Sequence, residues 1–293
     1  MDRTVEYLVT DKNQGLMILD FLRQNGFSRH ILTAMKEDKN AILLNGYPAG
    51  GRTLLKAGDR LLIRVLEKSS GENIIPVPMK LSVLYEDTDI LVVNKPANMP
   101  VHPSLGNYEN TLANGAAAYF RSKGETCPFR CINRLDRDTS GALILAKNAL
   151  SASILSGQMR NRMIRRTYLA VVKGITPPGG TISAPIGRQS SSMIQRQVDF
   201  THGESAVTHY QRLDVRHGYS LLEIHLETGR THQIRVHMGC LGFPLPADYL
   251  YYPDYSRFSR QPLHSFQLEF FHPFSGQAMC ITAPVPEDIF SHF

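Results

Sequence analysis

Residues 142–146, Ala-Leu-Ile-Leu-Ala, form an unbroken apolar run, and the residues just before them are almost all polar or charged. A run of that length bounded by turn formers suits a buried strand. Asn133, Arg134, Asp136, Arg137, Asp138, Thr139, Ser140 and Gly141 crowd against its start. Thr139, Ser140 and Gly141 suit a tight turn feeding the strand. A carboxylate between Arg134 and Arg137 is favoured in its ionised form by the neighbouring charges. At the edge of a buried strand such a group can act as a nucleophile or a base. A salt-bridged turn with no chemical role accounts for the same residues, and both readings stay open on these residues alone.

The 293 residues suffice for one large domain and a small one. Apolar residues make up 42%, enough for a globular core. No apolar run approaches the roughly 20 residues that cross a membrane. The opening MDRTVEYLVTDKNQ carries acids and lacks an apolar signal core, so a cytoplasmic protein without a membrane partner is expected. Cys127, Cys131, Cys240 and Cys280 show no paired Cys-x-x-Cys spacing and are expected as free thiols. His232 and His237 are five apart, which does not put two imidazoles on one helix face, so no metal is expected. The net charge of +6 is modest, but Arg160, Arg162, Arg165 and Arg166 fall within seven residues, and Arg188 and Arg196 follow in a Ser-rich loop. Such a distribution suits a polyanionic partner. There is no Trp, so any base stacking falls to Tyr, Phe, His or Arg.

The pattern divides the chain into residues 1–66, a linker over 67–79 that is polar and then Pro-rich, and residues 80–293. In the first unit, Leu16, Leu19, Phe21 and Leu22 have helical spacing that ends at Gly26. Ser28 reads as the N-cap of a second helix with Ile31, Leu32 and Met35 inside. Asn45-Gly46 marks a hairpin turn. From Lys80 onward strands outnumber helices and arrive partly in adjacent runs. That predicts an α+β domain on a mixed, largely antiparallel sheet flanked by helices. In "RRTYLAVVKG" Tyr168 opens a strand among apolar neighbours. In "LETGRTHQIRVHMG" a strand ends at Thr228-Gly229, Thr231 is placed to cap a helix carrying Ile234 and Met238 inside, and Arg230 sits at the junction.

Taken in order, "VVNKPANMPVHP", "NRLDRDTSGALILAK", "RTYLAVVKG", "GESAVTHYQRL", "EIHLETGRTHQIRVHM", "GFPLPADYLY" and "LHSFQLEFFHP" make the region from about residue 81 to about 275 resemble the RluA-type ribosomal large-subunit pseudouridine synthases. The features "FSRHILTAMKED", "LLNGYPA" and "LKAGDRLLI" make residues 1–66 resemble the small RNA-binding domain of bacterial ribosomal protein S-four. That places Arg29, His30, Lys36 and Lys39 on a phosphate-binding surface.

The resemblance implies an enzyme that isomerises uridine in RNA without cofactor or metal, with ribosomal RNA as the expected partner. Related enzymes also include some acting on transfer RNA. It makes Asp136 the essential aspartate, either attacking the anomeric carbon or removing a ribose proton. It has Arg134 fill the space of a flipped-out nucleotide, and Tyr168 pack against the uracil. It has Arg230 pair with Asp136. Asn133, Thr139, His232 and Arg235 join Arg134 as expected substrate-binding groups. A monomer is expected. Two departures stand out: Asn133 where the family usually has His, and Ala247-Asp248-Tyr249-Leu250-Tyr251-Tyr252 where it usually has Gly-Asp-x-x-Tyr-Gly. They support the alternative of a catalytically silent RNA-binding or ribosome-assembly protein.

Overall fold

The computed structural model describes residues 2–67, 74–290 and 293. Its first unit holds β1 (Arg3–Leu8), α1 (Ile18–Gln24), α2 (Arg29–Ala34), β2 (Ile42–Leu44), β3 (Tyr47–Pro48) and β4 (Arg60–Val65). Next come β5 (Ser82–Glu86), β6 (Ile90–Lys95), α3 (Leu112–Ser122), β7 (Ser140–Ala146), α4 (Ala149–Arg160) and β8 (Arg165–Lys173). The chain continues through β9 (Gly179–Ser183), β10 (Ile186–Arg188), β11 (Arg196–Val198), β12 (Val207–Arg216) and β13 (Tyr219–Leu226). It ends with α5 (Gln233–Cys240), β14 (Leu263–Phe271), β15 (Ala278–Thr282) and α6 (Glu287–Phe290).

The first unit is an antiparallel sheet in the order β1-β4-β2-β3, covered by α1 and α2. Ser28 caps α2 by accepting from the Ile31 N–H. Asn45 and Gly46 both take positive φ, 52° and 85°, as a two-residue turn between right-twisted strands requires. β1 gives only a weak sequence signature: its inner face carries Val5 and Tyr7 but begins with Arg3, and that face is only half-buried. The core of Ile18, Phe21, Leu22, Phe27, Ile31, Leu61 and Ile63 also takes in Leu150 of α4. Arg3–Asp89 (2.9 Å) and Arg130–Glu67 (2.5 Å) join the two parts of the chain by charge. Residues 68–73 of the anticipated linker lie outside the described residues. Beyond them the backbone binds α3: Asn114 donates to the Ile75 carbonyl at 2.8 Å and accepts from the Val77 N–H through its own carbonyl.

The large sheet has the order β5-β6-β7-β14-β8-β13-β12-β9, with β15 also on β14. Among the described strands, only β7 and β14 pair in parallel. This is the mixed, largely antiparallel α+β sheet expected from the sequence. β7 is buried along its whole length. Leu143 and Leu145 pack toward α3, while Ala142, Ile144 and Ala146 pack toward α4. That explains a continuous apolar run in place of alternation.

One row of residues crosses three neighbouring strands. Gly141 of β7 pairs with Ser265 of β14, and Ser265 pairs with Tyr168 of β8. The turn before β7 and the start of β8 are thus brought together although some 30 residues apart. Gly141 has φ +113°, and a Cβ there would lie 2.2 Å from the Ser265 carbonyl oxygen. Only glycine fits.

Candidate active site

A cleft of about 830 Å³ opens where the 131–139 turn, the start of β8 and the 226–235 segment meet. Its size falls within the range of small-molecule sites. Arg134, Arg137, Arg160, Arg162, Arg166, Arg230 and Arg235 all line it, against Asp136 and Glu227. Such a lining attracts an anionic ligand.

Asp136 has a side chain 25% exposed, and its Oδ2 accepts from Arg235 Nη1 at 2.9 Å. Arg235 itself is 2% exposed and also grips Asp248, Nε to Oδ2 and Nη2 to Oδ1, both at 2.7 Å. Burial disfavours the Arg235 charge, but the Asp248 hydrogen bonds and the charge of Asp136 outweigh it, and its pKa is raised. Arg235 belongs to the first turn of α5, which directs it inward. The expected pairing of Arg230 with Asp136 is therefore corrected: Arg235 is the partner. Arg230 lies in the preceding loop, lines the cleft, and binds Glu204 and the Ser205 carbonyl instead. A signal was present in the sequence. An arginine between Ile234 and Val236 in an inward-facing helix needs a buried acid, and Asp248 follows 13 residues later.

Tyr168 lies on the cleft wall, 5% exposed, and burial raises the pKa of its hydroxyl. Arg134 lines the cleft and is exposed. His232 also lines it, with Nδ1 2.9 Å from the Tyr251 hydroxyl, and burial lowers its pKa. His232, not Thr231, occupies the N-cap of α5, in the left-handed region at φ 59° and without a side-chain cap bond. Gln233 shapes this loop, its Oε1 accepting from the Arg230 N–H and the Thr228 hydroxyl.

Two residues expected to bind substrate are committed elsewhere. Asn133 is 3% exposed; it donates to the Ala142 carbonyl and accepts from the Ile144 N–H at 2.9 Å. Its amide splices the turn to β7. Thr139 is 2% exposed, and its hydroxyl accepts from Gln261 at 3.0 Å. Both border the cleft with their polar atoms turned into the scaffold. Arg235, a third residue expected on the substrate, is an internal partner of the Asp136 carboxylate.

Sequence reasoning missed Lys95. It is fully buried, and its Nζ donates to the carbonyls of Pro96 (2.7 Å), Met99 (2.9 Å) and Arg137 (3.0 Å). Burial pushes its pKa down to about 7 against the charges of Asp136 and Asp138. Three acceptors for three hydrogens is nevertheless the arrangement of an ammonium. The Arg137 carbonyl follows Asp136 directly, so Lys95 anchors the turn from beneath.

Arg29, His30, Lys36 and Lys39 are all exposed around α2 and the short 3₁₀ helix after it, away from the cleft. Asp87, Asp89 and His272 come close enough to suggest a cation site. They do not fit one, because the carboxylate oxygens are already taken. Asp87 accepts from two backbone N–H groups and the Tyr85 hydroxyl, and is bonded to His272; Asp89 accepts from Arg3, Thr88 and Asn148.

A family model described as RNA pseudouridylate synthase matches residues 89–239. A Bacillus subtilis (strain 168) protein described as an uncharacterized RNA pseudouridine synthase, YhcT, is 36% identical over 98% of this chain and 95% of its own length. Ribosomal large subunit pseudouridine synthase D of Neisseria meningitidis serogroup B is 36% identical over 90% of this chain and 74% of its own length. Among solved structures, human RNA pseudouridylate synthase domain containing 1 superposes with a TM-score of 0.59 at 29% identity, covering 72% of this chain and 87% of that one.

Proposed function

The chain belongs to the RluA-type family of RNA pseudouridine synthases, and from that premise we propose that it isomerises particular uridines of structured ribosomal RNA through Asp136. The observation that carries this reading is the Asp136 carboxylate beside buried Arg235 and close to Tyr168, in a cleft rich in arginine. The ribosomal substrate is supported by the name of the Neisseria relative. The enzyme works in the cytoplasm as a monomer and needs no cofactor.

The bond between N1 of uracil and the anomeric carbon breaks, the base turns within the cleft, and a carbon–carbon bond forms through C5, whose proton is then released to N1. Atoms and charge balance without a co-reactant. Asp136 acts at the ribose, as nucleophile at the anomeric carbon or as base on a neighbouring proton. Tyr168 holds the uracil against the wall. Arg134, exposed at the mouth, takes the place of the extruded nucleotide in the RNA. Extrusion costs a few kcal/mol of stacking and pairing. Phosphate contacts along the arginine rim and on and just after α2, through Arg29, His30, Lys36 and Lys39, offset it.

The test is Asp136→Asn on deproteinised large-subunit ribosomal RNA from a deletion strain. Pseudouridine formation should be abolished while RNA affinity stays within about threefold of wild type. Pseudouridine mapping of wild-type against deletion-strain RNA should reveal the missing site, and an unchanged map would favour a silent RNA-binding scaffold.

A further inference from the structure

We infer that Asp248 is a positioning residue for this reaction: it takes up most of the Arg235 guanidinium and so leaves Asp136 held by a single hydrogen bond from it, facing the cleft. The inference rests on Asp136 being the reacting group. Three charged side chains lie in a line from core to cleft, Asp248 at 1% exposure, Arg235 at 2% and Asp136 at 25%. Two carboxylates share one guanidinium, and the sharing is unequal. Arg235 meets Asp248 side-on through two N–H groups and reaches Asp136 through one.

A buried guanidinium must be matched by an acid. Asp248 is the more buried acid and the doubly bonded one, so the inner pair is internally neutral. The outer carboxylate keeps its negative charge, with Oδ2 oriented by one hydrogen bond. No hydrogen bond reaches its Oδ1 among the described residues. Without Asp248, Arg235 could turn its whole fork on Asp136 and hold both oxygens in a bidentate pair. Such a carboxylate would be a poorer nucleophile and a poorer base.

The same acid builds the wall around the guanidinium. Asp248 Oδ1 accepts from the N–H groups of Leu250 and Tyr251, at 3.0 and 3.2 Å. That turn brings the rings of Tyr249 and Tyr251 to 5.7 and 5.0 Å from the Arg235 guanidinium carbon. Arg235 is thereby fixed on its inner side and free only to point one N–H at Asp136.

Asp248→Asn keeps the turn, because the amide oxygen still accepts from Leu250 and Tyr251, but removes the charge. On deproteinised large-subunit ribosomal RNA from a deletion strain, the single-turnover rate should fall 10- to 100-fold with RNA affinity within threefold. The low-pH decline of the rate should move to lower pH, because an undivided Arg235 charge favours the anionic outer carboxylate. Asp248→Glu should return the wild-type pH behaviour. A folded Asp248→Asn enzyme with wild-type rate, or with a reduced rate and an unmoved pH profile, overturns the inference. If Asp248→Asn does not fold, combining it with Arg235→Gln decides. The chain should fold again once the charge needing neutralisation is gone, and a double variant that stays unfolded overturns the inference. Failure of the wild-type protein to form pseudouridine would instead strike the proposed function itself.

Discussion

Asn133 shows how little a residue type says before its surroundings are known. In the sequence it stands in a charged turn, close to the residue expected to act on substrate. In the fold its amide nitrogen donates to β7 and its amide oxygen accepts from β7. Asn133→Val fills a similar space and leaves the Ile144 N–H unpaired in the core, while the Ala142 carbonyl keeps the Ser265 hydroxyl. A buried orphan costs roughly 1–3 kcal/mol, so urea denaturation should show a loss of about 1–3 kcal/mol. RNA affinity should change little, which separates this structural role from substrate binding.

Among the elements, the parallel contact of β7 with β14 is short, two residue pairs, and it governs the site. It sets Gly141 and Tyr168 on either side of Ser265. Gly141→Ala would drive a methyl into the Ser265 backbone from a φ that alanine resists. Neither strand can move aside, since both lie within the sheet. Thermal unfolding should therefore show a loss of about 3 kcal/mol or more, with isomerisation lost in parallel. α4 is the other element of consequence. Its first turns add Leu150 to the core of the N-terminal unit, and its last residues, Met159 and Arg160, line the cleft. Twelve residues at about 1.5 Å each make a link of about 18 Å between the N-terminal core and the cleft.

Taken whole, the molecule should lose stability in acid for a reason that can be located. His264, at the start of β14, is 1% exposed and bonded through Nδ1 to the Ser140 hydroxyl. Burial lowers its pKa to about 4. The folded chain thus keeps this imidazole neutral, while the unfolded chain takes up a proton near pH 6.5. Its contribution is intact above about pH 6.5 and drains away as the pH falls toward 4. Stability rises with pH wherever the unfolded state binds more protons, and a shift of this size is worth about 3 kcal/mol. Denaturant titrations between pH 7 and pH 4 should show that slope, and His264→Gln should flatten it.

Local patterns determined much of this protein. The buried run 142–146, the caps and turns of the N-terminal unit, the mixed sheet and the ordered motifs were legible because burial period, turn chemistry and motif order are properties of neighbouring residues. Asp136 and Tyr168 stood out for the same reason, each flagged by its own strand, and the sheet register brought them to one cleft. Only the tertiary structure decided which arginine meets Asp136. Arg230 and Arg235 lie five residues apart in one motif, and a loop ending at a left-handed His232 turns one toward Glu204 and the other into the core. It likewise decided that Lys95 is caged by carbonyls and that the buried Arg235 reaches out to Asp136, because pairings across 42 and 99 residues leave no local trace. A hydrogen bond or ion pair is fixed by distance in space, and chain separation carries no record of it until the sheet has formed.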